Sequence, residues 1–117
     1  MATEIKNDKG TIRISNSVIA KLAGYTATQC SGVVGMCTKS GKDGISKLLK
    51  KENMDKGIKV KTDNNSIDLT LFIIAEYGLN ISTIGESIRS NVKYHVEKMT
   101  GMEVSNIHIN VESIRVE

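Results

Sequence analysis

The stretch Ile58-Lys59-Val60-Lys61-Thr62-Asp63-Asn64-Asn65-Ser66-Ile67-Asp68-Leu69-Thr70-Leu71 decides the fold. Apolar and polar residues alternate on both sides of Asp63-Asn64-Asn65-Ser66, and the two central asparagines suit the positive φ of a tight hairpin loop. A two-residue loop at Asn64-Asn65 sets Thr62 against Ile67, Val60 against Leu69 and Ile58 against Leu71 on one face. On the other face it sets Lys61 against Asp68, an opposite-charge cross-strand pair. A slip of one residue would turn the apolar set into water, so both faces select the same register.

Working outward, the period changes after Tyr77-Gly78 from two to 3.6. Ile81, Ile84, Ile88, Val92, Val96 and Met99 form one helical stripe. Asn80 or Ser82 can cap its start and Gly101 can end it. Lys93 with Glu97, and Glu86 with Arg89, suit a solvated opposite face. A last strand follows, with Ile107, Ile109 and Val111 inward and His108, Asn110 and Glu112 outward. Its parity then shifts to Ile114 and Val116, which predicts a bulge or strong twist near Glu112-Ser113.

Upstream, Gly10-Thr11-Ile12-Arg13-Ile14-Ser15 alternates like a short strand. Ser15 or Ser17 can cap a helix to about Gln29, with Val18, Ile19, Leu22, Ala23 and Thr26 as its buried stripe. Ser31-Gly32-Val33-Val34-Gly35-Met36-Cys37 reads as an irregular strand, Gly41 to Gly44 as a loop, and Ile45, Leu48 and Leu49 as a short helix to about Lys51. The expected fold is α+β: a two-layer domain with two long amphipathic helices on one face of a mixed sheet containing a central hairpin. Residues 1–9 read as a frayed segment and 10–117 as a single domain, in keeping with a length of 117 residues.

The composition is globular, with 39% apolar and 25% charged residues and a net charge of +3. No run approaches the length of a membrane span, and Met1-Ala2-Thr3-Glu4-Ile5-Lys6-Asn7-Asp8 has no apolar signal core, so a cytoplasmic chain is expected. In a reducing compartment Cys30 and Cys37 read as small core residues, not a disulfide. A thiol–imidazole pair would need the fold to bring one of them to His95, and the scattered acids offer no carboxylate pair. No catalytic set, metal-ligand set or cofactor motif stands out, and the chain reads as a non-enzyme.

Charge is uneven. Residues 39–61 carry eight lysines against Asp43, Glu52 and Asp55, a net +5. Lys42, Lys47, Lys50, Lys51, Lys59 and Lys61 are the candidate residues for meeting an anion or an acidic partner. Gly41-Lys42-Asp43-Gly44 matches the GxxG loop of KH nucleic-acid-binding domains, though that loop joins two helices and here follows a strand. The aromatics Tyr25, Phe72, Tyr77 and Tyr94 all lie outside the lysine-rich segment. That demotes base stacking and leaves KH-like or nonspecific nucleic-acid or anionic-surface binding as the alternative reading.

Several of these stretches together carry a resemblance. Gly10-Thr11-Ile12-Arg13-Ile14-Ser15, Gly32-Val33-Val34-Gly35-Met36, Lys56-Gly57-Ile58-Lys59-Val60 and Tyr77-Gly78-Leu79-Asn80-Ile81 recur in order. They are followed by Val96-Glu97-Lys98-Met99-Thr100-Gly101-Met102-Glu103-Val104 and Ile107-His108-Ile109-Asn110-Val111. Over about residues 10–117 the chain resembles the bacterial alkaline shock protein family. The resemblance implies a part in the cell-envelope stress response of Gram-positive bacteria, where some members are held at the membrane by a partner protein. It supplies no catalytic residue. It implies a noncatalytic scaffold or adaptor acting through self-association or an envelope-associated protein partner, at the inner face of the membrane. Without a long tail, the chain reads as a minimal, single-domain version.

Overall fold

The structure, a computed structural model, describes residues 2–38, 57–63 and 66–116. The chain runs β1 (Ala2–Asn7), β2 (Gly10–Ser15), α1 (Asn16–Thr28), β3 (Val33–Met36), β4 (Ile58–Asp63), β5 (Ser66–Glu76), α2 (Ile81–Thr100) and β6 (Glu103–Arg115). It is an α+β fold.

β5 is the axis of the main sheet. β6 lies parallel to it along its whole length, from Ser66↔Glu103 to Glu76↔Arg115. That leaves one flank, which β4 and β3 share end to end, both antiparallel to β5. The β4–β5 register is the expected one: Ile58 opposes Leu71, Val60 opposes Leu69, Lys61 opposes Asp68 and Thr62 opposes Ile67. The loop Asn64-Asn65 itself, the short helix expected over Ile45 to Lys51 and the Gly41–Gly44 loop lie outside the described residues.

One face of β5 carries Ile67, Leu69, Leu71, Ile73 and Ala75, all buried against both helices in a single core. From α1 this core takes Ile19, Ala20, Ala23 and Ala27; from α2 it takes Ile84, Ile88, Val92 and Val96. Both helical stripes differ from what their apolar residues suggest, α1 in rotation and α2 in length. Val18 is 55% exposed, Ile81 42% and Met99 71%. Ile81 and Met99 lie at the two ends of α2, where its buried face overhangs the layer beneath, whereas Val18 sits next to the fully buried Ile19 and points to the outer side of α1. On α2 the buried line continues instead to Thr100, whose hydroxyl donates to the Val96 carbonyl at 2.7 Å and so buries no unmade hydrogen bond.

The N-terminus departs from expectation. Residues 2–7 are not frayed: β1 pairs antiparallel with β2, Ile5 opposite Ile12 and Glu4 opposite Arg13. The Arg13 Nε donates to the Glu4 carboxylate at 3.0 Å, and that guanidinium holds the Glu4 carboxyl below its usual range. Polar residues hid an alternation whose apolar side, Ile5 and Ile14, rests on the core.

The caps follow the sequence. Ser15 Oγ accepts from the Val18 N–H at 3.3 Å, and Gly101 ends α2 in the left-handed conformation at φ 74°. Asn80 Oδ1 accepts from the Thr83 N–H at 3.1 Å. Asn80→Ala is expected to lower stability by about 1 kcal/mol, with Asn80→Asp close to neutral, as read by urea unfolding. Equal losses in both variants would assign Asn80 a role other than capping.

β6 carries the bulge expected near Glu112-Ser113, since its pairing steps from Val111 directly to Ser113. It also carries a second bulge at Ser105, where pairing steps from Val104 to Asn106. Glu97 does not serve as the wet-face partner of Lys93; its carboxylate accepts the Val104 N–H at 2.9 Å, tying the end of α2 to the start of β6.

Candidate functional site

The second face of the sheet is built by strand alternation. Asp68, Thr70 and Phe72 of β5 stand between Lys59 and Lys61 of β4 and His108, Asn110 and Glu112 of β6. Together they line a shallow depression of about 550 Å³. The Lys59 ammonium lies 5.7 Å from the centre of the Phe72 ring, a cation–π distance. Asp68 opposes Lys61 as expected, but its carboxylate turns to the other flank. Its Oδ1 is 3.6 Å from His108 Nε2, is sealed from solvent and receives no hydrogen bond among the described residues.

Of the six candidate lysines, Lys59 and Lys61 lie on this face, while Lys42, Lys47, Lys50 and Lys51 lie outside the described residues. The described pair shares its surface with two carboxylates, Asp68 and Glu112, so this part of the basic segment is mixed in sign.

Cys37 belongs to the same side of the sheet but is sealed beneath it. It packs with Phe72, Ile74 and Val34 and has no exposed surface. Burial, with the nearby Glu112 charge adding to it, pushes its thiol from 9.0 up to about 11. A nucleophilic cysteine needs the opposite shift.

The fold does bring the other cysteine to an imidazole. Cys30 and His95 line one groove of about 220 Å³ between the two helices, with Tyr25, Thr26, Gln29 and Asn91. Two hydrogen bonds fix the position of that sulfur. Cys30 Sγ donates to the Thr26 carbonyl and accepts from Asn91 Nδ2, each at 3.6 Å. His95 meets Tyr94 edge to face, with ring centroids 5.2 Å apart. The sulfur's hydrogen-bond partners are therefore a backbone carbonyl and a side-chain amide, neither of them the base that a nucleophilic thiol needs beside it.

Sequence reasoning missed that Asp68 and His108 would be neighbours. Alternation placed both on the polar face, yet only the register of β5 against β6 sets their separation. Among the described residues no helix is long and apolar enough to cross a membrane.

Comparison with known proteins gives a consistent picture. Residues 4–116 match the model of the alkaline shock protein 23 family, described as having a cell envelope-related function. The chain is 38% identical over 117 residues to the uncharacterized protein YloU of Bacillus subtilis (strain 168), covering 99% of this chain and 98% of that one. It is 36% identical over 117 residues to the uncharacterized protein Spy1614 of a Streptococcus pyogenes serotype M6 strain, covering 99% of this chain and 97% of that one. A stress response regulator gls24 homolog of Streptococcus pyogenes serotype M3 is 27% identical over 107 residues, which span 92% of this chain and 60% of that protein. No solved structure matches. A family match that runs from β1 to the end of β6 takes in both faces of the sheet and both helices, and the chain belongs to the alkaline shock protein 23 family.

Proposed function

We propose that this chain is a noncatalytic stress-response module that works at the inner face of the cell envelope by protein–protein contact, with copies of itself and with an envelope-associated partner. What supports the reading most is how the chain uses its reactive and its sticky side chains. Both thiols are committed to the interior, Cys37 sealed and Cys30 hydrogen-bonded to the Thr26 carbonyl. All three tyrosines lie at the surface, Tyr25 50%, Tyr77 67% and Tyr94 58% exposed. Tyrosine offers a large, stiff contact area with a polar tip, and it is enriched where proteins meet. The name of one relative, a stress response regulator gls24 homolog, agrees in class.

Cross-linking in the native cells, followed by fractionation, tests this. The chain is expected in a cross-linked complex that sediments with the membrane, and Tyr25→Ala with Tyr94→Ala is expected to deplete it. A chain that stays monomeric, cross-links to no protein and remains in the soluble fraction would sink the reading.

The competing reading is an anion-binding surface on the lysine-rich segment. It requires a salt-sensitive affinity for single-stranded nucleic acid or anionic vesicles that is lost in Lys47→Glu/Lys50→Glu/Lys51→Glu. Under the protein-contact reading, no such binding is measured even at low salt.

A further inference from the structure

β6 pairs with β5 on one side only, and over 13 residues its outer edge has no strand beside it among the described residues. Edge strands of this length are usually guarded by lysine or proline. Glu103-Val104-Ser105-Asn106-Ile107-His108-Ile109-Asn110-Val111-Glu112-Ser113-Ile114-Arg115 contains neither. β4, the other long edge of this sheet, carries Lys59 and Lys61. Resting on the self-association reading above, we propose that β6 pairs antiparallel with β6 of a second copy, about a two-fold axis through Ile109.

The occupant is argued from how the strand matches its own reverse. With Ile109 opposite itself, Ile107 meets Val111 and Val104 meets Ile114, so every apolar residue on the helix side finds an apolar partner. His108 meets Asn110, Asn106 meets Glu112 and Ser105 meets Ser113, with no like charges opposed. Glu103 meets Arg115, and the two-fold makes that contact twice.

The bulges obey the same symmetry. A bulge ordinarily turns an edge away from a partner. Here the doubled outward positions are Ser105-Asn106 and Glu112-Ser113, equally spaced about Ile109, so each bulge falls opposite its counterpart. Shifting by two residues, to centre on His108 or on Asn110, breaks this. It sets Val104 against Glu112 in the first case and Ile107 against Ser113 in the second. The resulting sheet is continuous through both copies, with both helical layers on one side. The Glu97 carboxylate already holds the Val104 N–H, so backbone pairing across the two-fold runs from Ser105 to Ser113, and beyond it Val104 with Ile114 and Glu103 with Arg115 meet through their side chains.

Sedimentation equilibrium of the whole chain tests the register through its exposed end pairs. The wild type is expected to reach twice its 12.8 kDa monomer mass. Glu103→Arg alone, which opposes two positive charges at both ends, is expected to weaken the dimer about tenfold. Arg115→Glu alone is expected to do the same, with circular dichroism confirming its fold because Glu76 neighbours Arg115 on β5. The combined swap is expected to restore the wild-type dimer. A dimer indifferent to the single changes, or one that the combined swap weakens further, overturns this pairing while leaving self-association through another surface. A wild type that is monomeric at about 100 μM overturns self-association as well; contact with an envelope partner is read separately, by the cross-linking above.

Discussion

Gly32→Ala is expected to destabilise the protein by about 3 kcal/mol, the sum of two costs at one position. Gly32 has φ 90°, a backbone conformation that an L side chain enters only with strain of about 1–2 kcal/mol. A methyl group there would also stand 2.7 Å from Ile84 Cδ1, 2.9 Å from Ile84 Cγ1 and 3.0 Å from Leu79 Cδ1. Leu79 is 48% exposed and can swing aside, but Ile84 is 4% exposed and held in the core. Ile84 therefore moves only by disturbing the first turns of α2, an overpacking cost of about 1–3 kcal/mol. Gly101→Ala separates the two terms. Gly101 has φ 74°, and nothing lies within 4 Å of an added Cβ. It bears the backbone cost alone, about 1 kcal/mol. Urea unfolding of both variants reads the difference; equal losses would mean that Ile84 yields freely and that Gly32 matters only for its backbone.

The same corner shows why some of this architecture was legible in the sequence and some was not. The hairpin register followed from residues in one short stretch, because alternation and the Lys61–Asp68 opposition gave two independent tests of the same alignment. The close approach of Gly32 to Ile84 had no local signal, since it arises where the α1–β3 turn meets the start of α2. The errors at Ile81 and Met99 have a related cause. Periodicity identifies the side of a helix that faces inward, but the length of the layer beneath determines how far along it residues are covered. β1 was missed because its polar residues outnumber its apolar ones and only pairing with β2 shows what Ile5 is for. At the candidate sites, residue types and faces were legible, whereas the Cys30–His95 groove and the Asp68–His108 contact depended on how distant elements pack.

Between about pH 9 and pH 11 the wild type is expected to lose about 2 kcal/mol of stability that a Cys37→Ala variant does not lose. The sign follows from proton counting. Folding raises the thiol from 9.0 to about 11, so the native state keeps its proton where the unfolded chain has released it. The unfolded state then binds fewer protons, and stability falls as pH rises through that window. Below about pH 9 both states hold the proton and the contribution is fully present. A full two-unit shift corresponds to about 2.7 kcal/mol, and partial opening of the Cys37 environment at high pH brings the expected loss below that. Every other group is common to both proteins, so the difference between wild type and variant isolates the thiol. Urea unfolding at about pH 8 and about pH 11 provides the measurement. Parallel losses in the two proteins would mean that Cys37 ionises freely in the folded state. That outcome would also weaken the noncatalytic reading, because a thiol free to ionise beside Glu112 and under the His108 face would be available for chemistry that a sealed, protonated one is not.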